Sequence, residues 1–321
     1  EVFGIPMQLD AYNALRDRCA LIELANRGLI LAKGDDRARF LHAMTTAAVQ
    51  SLAEGEGSLA LFLSDKGRIL AEALLLSRED DLLVDTEPGA RDPLMEHLDR
   101  FIIMDDVELE DVSASYAVFG VEGPSAAELL EGLGVSLPSR ECGHTFWGDV
   151  LLAKHSYTGS AGWRLYAPAA MREKLRAKLN AAGAVNADLA TADAVRLEFG
   201  RPIHGVDFSD QNLVHEAQLM SYVTPNKGCY IGQEIIERVK SRGNVNRLLV
   251  RVLADTQEVP SAETPVMAGE KEAGIVKSAA YSPALGKSVA FALVRAEFVK
   301  PDAAFRVNEA EASLAGSGRL G

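Results

Sequence analysis

Three apolar runs separated by short polar turns dominate residues 58–87 of the chain. The runs read SLALFL, RILAEALLLS and DLLVDTE, and the stretches between them, SDKG and REDD, have the composition of hairpin turns. Short apolar runs divided by such turns are typical of neighbouring antiparallel strands. We therefore predict a β-meander in this part of the chain.

The pattern on either side of the meander mixes helical and strand-like segments. Apolar positions at helical spacing predict helices in GDDRARFLHAMTTAAVQSL, RDPLMEHLDRFII, PSAAELLEGL, AAMREKLRAKLNAAG and DLATADAVRLEFG. Strand-like runs stand between them, in YAVFGVEG, VLLAKHS and WRLYAP. Because strands and helices do not alternate strictly, as they would in a βαβ fold, the predicted fold class is α+β.

The pattern changes at about residue 244. The runs RLLVRVLA, GIVKSAAYS and SVAFALV are short strands divided by turns that carry proline and glycine, and they show hardly any helical spacing. This pattern predicts a small all-β barrel or sandwich, so we divide the chain into residues 1–243 and 244–321. The tail EAEASLAGSGRLG, residues 309–321, lacks a core-forming pattern, and we expect it to be frayed.

Composition narrows the class of protein. The chain has 321 residues and a formal net charge of −13, which argues against direct binding of nucleic acid or of anionic membranes. No run approaches the ~20 apolar residues of a membrane span, and the first residues lack the pattern of a secretion signal. Three scattered cysteines fit a reducing cytoplasm, and the six histidines form no metal-binding pattern.

One cysteine stands in an unusual setting, within PNKGCYIGQEIIERV. The apolar spacing predicts a helix from Ile231, which places Cys229 just before the first turn, near unpaired N–H groups and the positive end of the helix dipole. Lys227 lies close in sequence, and both effects favour a thiolate. Gly228 and Gly232 leave room for a ligand or another backbone. From the residues alone, a buried structural cysteine stays an open alternative.

The run from Lys227 to Glu234, KGCYIGQE, resembles the signature of the YgfZ family. Members of this family bind folate and are related to the glycine-cleavage T-protein, an aminomethyltransferase. Further stretches follow the family in order: LANRGLILAKGDDRARFLHAMTTAAV, LSDKGRILAEALLL, HLDRFIIMDDVELED, YTGSAGWRLY, RLEFGRPIHGVD and AAYSPALGKSVAFALV. Together these stretches cover almost the whole chain.

The resemblance implies a fold and a function. The implied fold has two α/β lobes and a C-terminal β-barrel around a central channel that holds tetrahydrofolate. The implied function is that of an accessory protein in the assembly or maintenance of iron–sulfur clusters. Its partners would then be reduced folate and iron–sulfur enzymes or assembly factors, including radical-SAM enzymes. The resemblance also implies support of tRNA modification.

The resemblance also indicates site residues. It makes Cys229 the essential thiol, with Lys227 beside it. The residues expected to contact folate are Gly228, Tyr230, Gln233, Glu234, Trp163, Arg196 and Arg242. For Trp163, core packing stays open as an alternative, and for Arg242 a plain surface charge does.

The sequence departs from the transferase in two acidic motifs. The acidic pair of the transferase motif GGILDD corresponds to Ala71 and Glu72 here, so that Glu72 is a candidate substitute for the lost acid. The motif TGEDGVE appears as TGSAGWR, residues 158–164, so that both of its glutamates are lost, the first of them to Ser160. One-carbon transfer needs a positioned acid or base, so these losses argue against glycine cleavage.

Several functional interpretations therefore remain open at the level of sequence. An aminomethyltransferase or demethylase that uses Glu72 competes with the accessory function. So does a passive folate-binding scaffold in which Cys229 only packs. If the thiol acts, its chemistry also stays open between capture of a one-carbon unit such as formaldehyde, transient contact with a cluster, and redox cycling.

Overall fold

The computed structural model describes residues 7–243 and 245–316 of the protein. Its helices are α1 (Leu9–Asp17), α2 (Arg37–Met44), α3 (Arg91–Asp99), α4 (Ala126–Gly132), α5 (Arg172–Ala181), α6 (Leu189–Phe199) and α7 (Gln233–Arg242). Its strands are β1 (Ala20–Glu23), β2 (Gly28–Lys33), β3 (Gly57–Leu63), β4 (Ile69–Ser77), β5 (Leu82–Thr86), β6 (Glu108–Asp111), β7 (Tyr116–Glu122), β8 (His144–Trp147), β9 (Val150–Ala153), β10 (Gly162–Pro168), β11 (Val185–Ala187), β12 (Arg247–Ala254), β13 (Pro265–Ala268), β14 (Lys271–Ser282), β15 (Lys287–Arg295), β16 (Ala304–Val307) and β17 (Ala310–Leu314). Within the described ranges, no helix combines the length and the apolar character needed to cross a membrane.

The predicted meander forms the centre of a five-stranded antiparallel sheet in the order β3-β4-β5-β2-β6. Strand β4 is buried along nearly its whole length, because both faces of the sheet are covered. On one face, α2 and α3 bury a core that includes Ile30, Phe40, Leu41, Met44, Phe62, Val84, Leu94 and Leu98. The other face packs against the second sheet.

The second sheet has six strands in the order β11-β1-β7-β10-β9-β8, and all of its pairs except β1–β11 are antiparallel. Side chains alternate across a strand, so one face of β10 presents Trp163 and Leu165 to a core beneath α4 and α5. The opposite face carries Arg164 and Tyr166. Tyr166 contributes to the core that joins the two sheets to α1 and α6.

The C-terminal part is a closed six-stranded barrel in the order β12-β15-β14-β13-β16-β17. The prediction of a barrel after two mixed α/β lobes is therefore confirmed. The expectation of a frayed tail is wrong for Ala310–Leu314, because this segment is β17 and pairs with both β12 and β16. Its inward side chains include Ala312, whose small side chain differs little in hydrophobicity from its neighbours. The alternation of buried and exposed positions is therefore hard to see in the sequence. Residues 317–321 lie outside the described part of the chain.

A long connection between α6 and α7, residues 200–232, fills the space between the first sheet and the barrel. It contributes Phe208, Val214, Ala217 and Leu219 to a core that also contains residues of β3, α7 and β15. This connection has only one short 3₁₀ turn, Met220–Tyr222, as regular structure. Long irregular connections inside compact domains are commonly functional.

Candidate functional site

The cysteine motif is held against the β3–β4 turn by close glycine packing. Helix α7 begins at Gln233, two residues later than predicted, because Gly232 adopts a left-handed backbone with φ +83° and forms the N-cap. A Cβ at Gly232 would lie 2.8 Å from the carbonyl oxygen of Ser64 and 2.9 Å from Cβ of Leu63. The glycine therefore serves close approach of backbone to backbone at this position, rather than room for a ligand.

Lys227 is turned toward α2. Its ammonium donates a hydrogen bond to the carbonyl of His42 and lies 4.7 Å from the centre of the Tyr230 ring. The His42 ring donates a hydrogen bond in return, from Nε2 to the Lys227 carbonyl at 2.7 Å. Its Nδ1 accepts from the backbone N–H of Gln50 at 3.3 Å. Burial lowers the pKa of Lys227 to about 8. Among the described residues no hydrogen bond joins Lys227 to Cys229, so the lysine anchors the loop through His42.

Cys229 is the exposed member of the three cysteines. Because α7 starts at Gln233, the thiol stands three residues before the N-cap and not in the first turn of the helix. Cys19 and Cys142 are 3% and 7% exposed, and burial raises their pKa values to about 12 and about 11. The structure thus presents one thiol to solvent and keeps two buried and neutral.

The other motif residues have distinct surroundings. The Gln233 side chain accepts a hydrogen bond from the backbone N–H of Tyr230 at 3.1 Å, which fixes the turn before α7. Tyr230 is partly buried against the core between the first sheet and the barrel, whereas Glu234 is exposed. The side chain of Arg242 lies outside the described residues.

An ionic cluster that sequence reasoning missed lies between the two sheets. Asp85 is fully buried and accepts hydrogen bonds from Arg27 at 2.7 Å, Arg164 at 2.7 Å and the Tyr166 hydroxyl at 2.5 Å. Burial alone would raise the pKa of Asp85, but the two arginines lower it on balance. The sequence signal that could have revealed the cluster is Asp85 itself, an aspartate inside the apolar run DLLVDTE. A charge buried in such a strand needs charged or hydrogen-bonding partners.

Glu72, the candidate catalytic acid, belongs to a second buried group. Arg201 donates to Oε1 of Glu72 at 3.3 Å and to Nε2 of His155 at 3.0 Å. Because an arginine only donates, His155 accepts and is neutral, and burial next to Arg201 holds its pKa well below the usual range. Burial raises the pKa of Glu72. Burial and the nearby charge of Glu72 also raise the pKa of Tyr222. The carboxylate is thus already engaged within the protein.

A cavity of about 240 Å³ opens where α6 meets the ends of β1 and β5. Its lining includes Leu24, Arg27, Glu87, Pro88, Tyr157, Asp193, Ile203 and His204. A neighbouring cavity of about 440 Å³ shares Leu24, Ala25, Arg27 and Pro88 with it and is also lined by Arg91 and Arg172. Neither lining includes a residue of the cysteine motif or Trp163, which packs in the core beneath α4 and α5.

Arg196 lies directly behind this cavity. It is 1% exposed, and it donates to Asp193 at 2.6 Å and to Asp207 at 2.7 Å. The Tyr157 hydroxyl donates to the same Asp193 oxygen at 2.8 Å. Of the residues predicted to contact folate, Arg196 therefore reaches the cavity only through Asp193, and the motif residues do not line it.

Two family models match consecutive parts of the chain. The GCVT N-terminal domain matches residues 6–227, and the glycine cleavage T-protein C-terminal barrel domain matches residues 247–315. The chain belongs to the glycine cleavage T-protein family. This confirms the wider part of the resemblance seen in the sequence, and the closed barrel β12–β17 is the C-terminal domain of the family.

Relatives in the T-protein family support the same assignment. The aminomethyltransferase of Rubrobacter xylanophilus is 27% identical over 89% of this chain and 78% of that protein. The aminomethyltransferase of Streptomyces avermitilis is 29% identical over 92% of this chain and 83% of that protein. The crystal structure of the glycine cleavage system aminomethyltransferase T from Bartonella henselae superposes with a TM-score of 0.87. At 18% identity, over 97% of this chain and 90% of that one, it shows a shared fold.

Proposed function

We propose that this T-protein-family chain binds a reduced folate in the cavity at α6 and acts as an accessory protein for iron–sulfur enzymes. In this proposal Cys229 is the essential thiol, and the chain acts in the cytoplasm as a YgfZ-like protein. The folate part rests on the two adjoining cavities, and the accessory part rests on the cysteine motif.

The observation that carries folate binding is the contrast between the two cavities. The smaller one is lined by the carboxylates of Asp193 and Glu87 and by Arg27, whereas the larger one is lined by three arginines, Arg27, Arg91 and Arg172, and two carboxylates, Glu23 and Asp92. Tetrahydrofolate has a ring with several N–H donors at one end and carboxylates at the other, so its polarity fits this arrangement. Nε2 of His204, which is buried and has no partner among the described residues, adds a polar contact. When bound, the folate would supply a carrier for a one-carbon unit.

The accessory function is supported by the motif and its setting. KGCYIGQE resembles the YgfZ signature, and the structure exposes its thiol on a loop anchored by Lys227 and His42. A thiol that is exposed on an anchored loop can reach a partner protein, which a buried thiol cannot. Iron–sulfur enzymes, radical-SAM enzymes among them, and support of tRNA modification are the partners and process that we propose.

An aminomethyltransferase is the second candidate, because relatives of that name are 26–29% identical to the chain. The site argues against it. Ala71 stands at the position of the first transferase acid, Glu72 is held by Arg201, and the Ser160 hydroxyl lies 2.8 Å from that of Thr158. No one of these groups is a free carboxylate that could manage a proton during transfer.

Two measurements test the proposal. Calorimetric titration with (6S)-5-formyltetrahydrofolate should show saturable binding, and the absence of binding would refute the folate part. Cells that lack the protein should lose activity of iron–sulfur enzymes, and Cys229→Ser should fail to restore it while the protein stays folded. Formation of methylene-tetrahydrofolate from an aminomethyl-loaded lipoyl carrier would favour the transferase instead.

A further inference from the structure

The two most exposed large apolar side chains of the described residues are neighbours in the connection between α3 and β6. Ile103 is 83% exposed and Met104 is 94% exposed, and Phe101, in the same connection, is 42% exposed. We call residues 101–104 the apolar loop. Single exposed apolar side chains are common on protein surfaces, whereas several together are typical of a surface that contacts another molecule.

The apolar loop is held in place by the elements around it. Its second residue, Ile102, packs against the core beneath α2 and α3. The Asp105 carboxylate, directly after the loop, accepts a hydrogen bond from Arg39 of α2 at 2.7 Å. The backbone N–H of Asp106 donates to the Asp36 carboxylate at 3.0 Å. The exposed side chains therefore stand on an anchored segment and not on a frayed one.

Helix α2 also anchors the loop that carries the thiol. The carbonyl of Ala43 accepts a hydrogen bond from the backbone N–H of Ile231 at 3.2 Å, two residues after Cys229. Ala43 and Arg39 are both exposed and are four residues apart, so they lie on the same face of α2. Their separation along the helix axis is about 6 Å. The apolar loop and the thiol are thus both fixed to the exposed face of one short helix.

This spacing fits within a single protein–protein interface. With eight residues, α2 is about 12 Å long. An interface of standard size buries roughly 800 Å² on each partner, which corresponds to a patch roughly 30 Å across. A protein that covers the apolar loop can therefore also reach Cys229.

The charges around the apolar loop indicate what kind of partner it receives. The segment DRFIIMDDVELED, residues 99–111, contains six carboxylates and one arginine. Among the described residues, Asp99, Asp106 and Glu108 are exposed and have no ion-pair partner. Such a rim attracts lysine and arginine, and it repels a second copy of this acidic chain as well as anionic membranes. The complementary surface is an apolar hollow with a basic rim.

We propose that the apolar loop and the exposed face of α2 form the docking surface for the iron–sulfur enzymes that the protein serves. In the docked complex, Ile103 and Met104 enter an apolar hollow that is rimmed by lysine and arginine, and Cys229 faces the same partner. This inference rests on the proposed accessory function and adds to it the surface used and the chemistry of the partner's matching surface. An unbranched methionine adapts to hollows of different shape, which suits a surface that receives several enzymes.

The test uses a purified radical-SAM enzyme with its [4Fe–4S] cluster as the probe. Its dissociation constant is measured by calorimetry for the wild type, for Ile103→Ser with Met104→Ser, and for Cys229→Ser. The matched control is Val259→Ser with Leu285→Ser, because these side chains are also exposed, at 46% and 49%, but belong to the C-terminal barrel. The same variants are expressed in cells that lack the protein, and iron–sulfur enzyme activity is measured there.

The expected result separates docking from thiol chemistry. The double serine variant of the apolar loop should bind the enzyme at least about tenfold more weakly, as expected when large apolar side chains are no longer buried. It should also restore less activity in cells, although its unfolding transition and the alkylation rate of Cys229 stay unchanged. The control pair should behave as the wild type. Cys229→Ser should bind the enzyme normally and still fail to restore activity.

A second variant tests the charged rim. Asp99→Lys with Glu108→Lys should weaken binding of the enzyme about tenfold or more at low salt, and the wild-type affinity should fall as salt is raised. If the double serine variant does not fold, this lysine variant decides the question. Unchanged affinity then overturns the inference, and a tenfold loss supports it.

Other outcomes distinguish the inference from the proposed function. If the double serine variant binds the enzyme and restores activity as the wild type does, while Cys229→Ser restores none, the docking surface is wrong and the proposed function stands. If the wild type itself restores no iron–sulfur enzyme activity, the proposed function fails and the inference fails with it. If sedimentation shows a dimer of the wild type that the double serine variant loses, the apolar loop binds a second copy and the inference is overturned.

Discussion

Substituting Gly232 by alanine should weaken the docking of α7 and of the cysteine loop far more than a comparable change at the other end of the helix. An alanine at φ +83° costs about 1–2 kcal/mol in backbone strain. Its Cβ would also lie 2.8 Å from a carbonyl oxygen and 2.9 Å from Cβ of Leu63. Relief of this overlap costs roughly 1–3 kcal/mol more. The expected loss of free energy of unfolding is therefore about 2–5 kcal/mol.

Gly243 provides the control, because it has φ +72° at the C-cap of the same helix and a Cβ there meets nothing within 4 Å. Gly243→Ala should cost only the strain, about 1–2 kcal/mol. Hydrogen exchange of the α7 amides measures the local opening energy and does not require the whole chain to unfold in one step. If the two variants differ by less than about 0.5 kcal/mol, crowding against Leu63 does not hold the motif, and our account of the loop is wrong.

Three further predictions follow from the buried groups. In the native protein, Cys229 should be alkylated at least about a hundredfold faster than Cys19 or Cys142, since chemical access to the buried pair requires opening. Peptide mass spectrometry measures the three rates, and equal rates would contradict the prediction. Asp85→Asn should destabilise the protein by about 3–5 kcal/mol. The lowered pKa of Asp85 means that its contribution is present above about pH 4 and is lost as pH falls through the folded-state value, so urea unfolding of the variant should lack this acid-dependent loss. The pKa of Lys227 falls from 10.5 to about 8 on folding. The unfolded chain therefore binds more protons between these two pH values, and the free energy of unfolding should increase as the pH is raised from about 8 to 10.5. If a Lys227→Met variant showed the same increase, Lys227 would not be its cause.

Much of the fold could be predicted from local pattern. The meander of β3, β4 and β5 and the barrel strands were visible because their side chains alternate between core and solvent or form continuous apolar runs. The resemblance of KGCYIGQE pointed to the family before any geometry was known. The pattern failed where the physical signal was weak, as in Ala310–Leu314, whose inward residues include a small alanine.

The tertiary structure decided what the chemically active side chains face. A sequence can indicate that Arg196 is important, but not that Asp193 stands between it and a cavity, because Tyr157 and the barrel residue Ser278 complete that arrangement from distant positions. The sequence likewise suggested that Lys227 favours a thiolate, whereas its ammonium is directed at a carbonyl of α2. The periodicity of apolar residues indicates which positions are buried, because the geometry of a helix or strand determines which side chains share a face. The partners of a buried charge come from other elements of the chain, and only their packing brings them together.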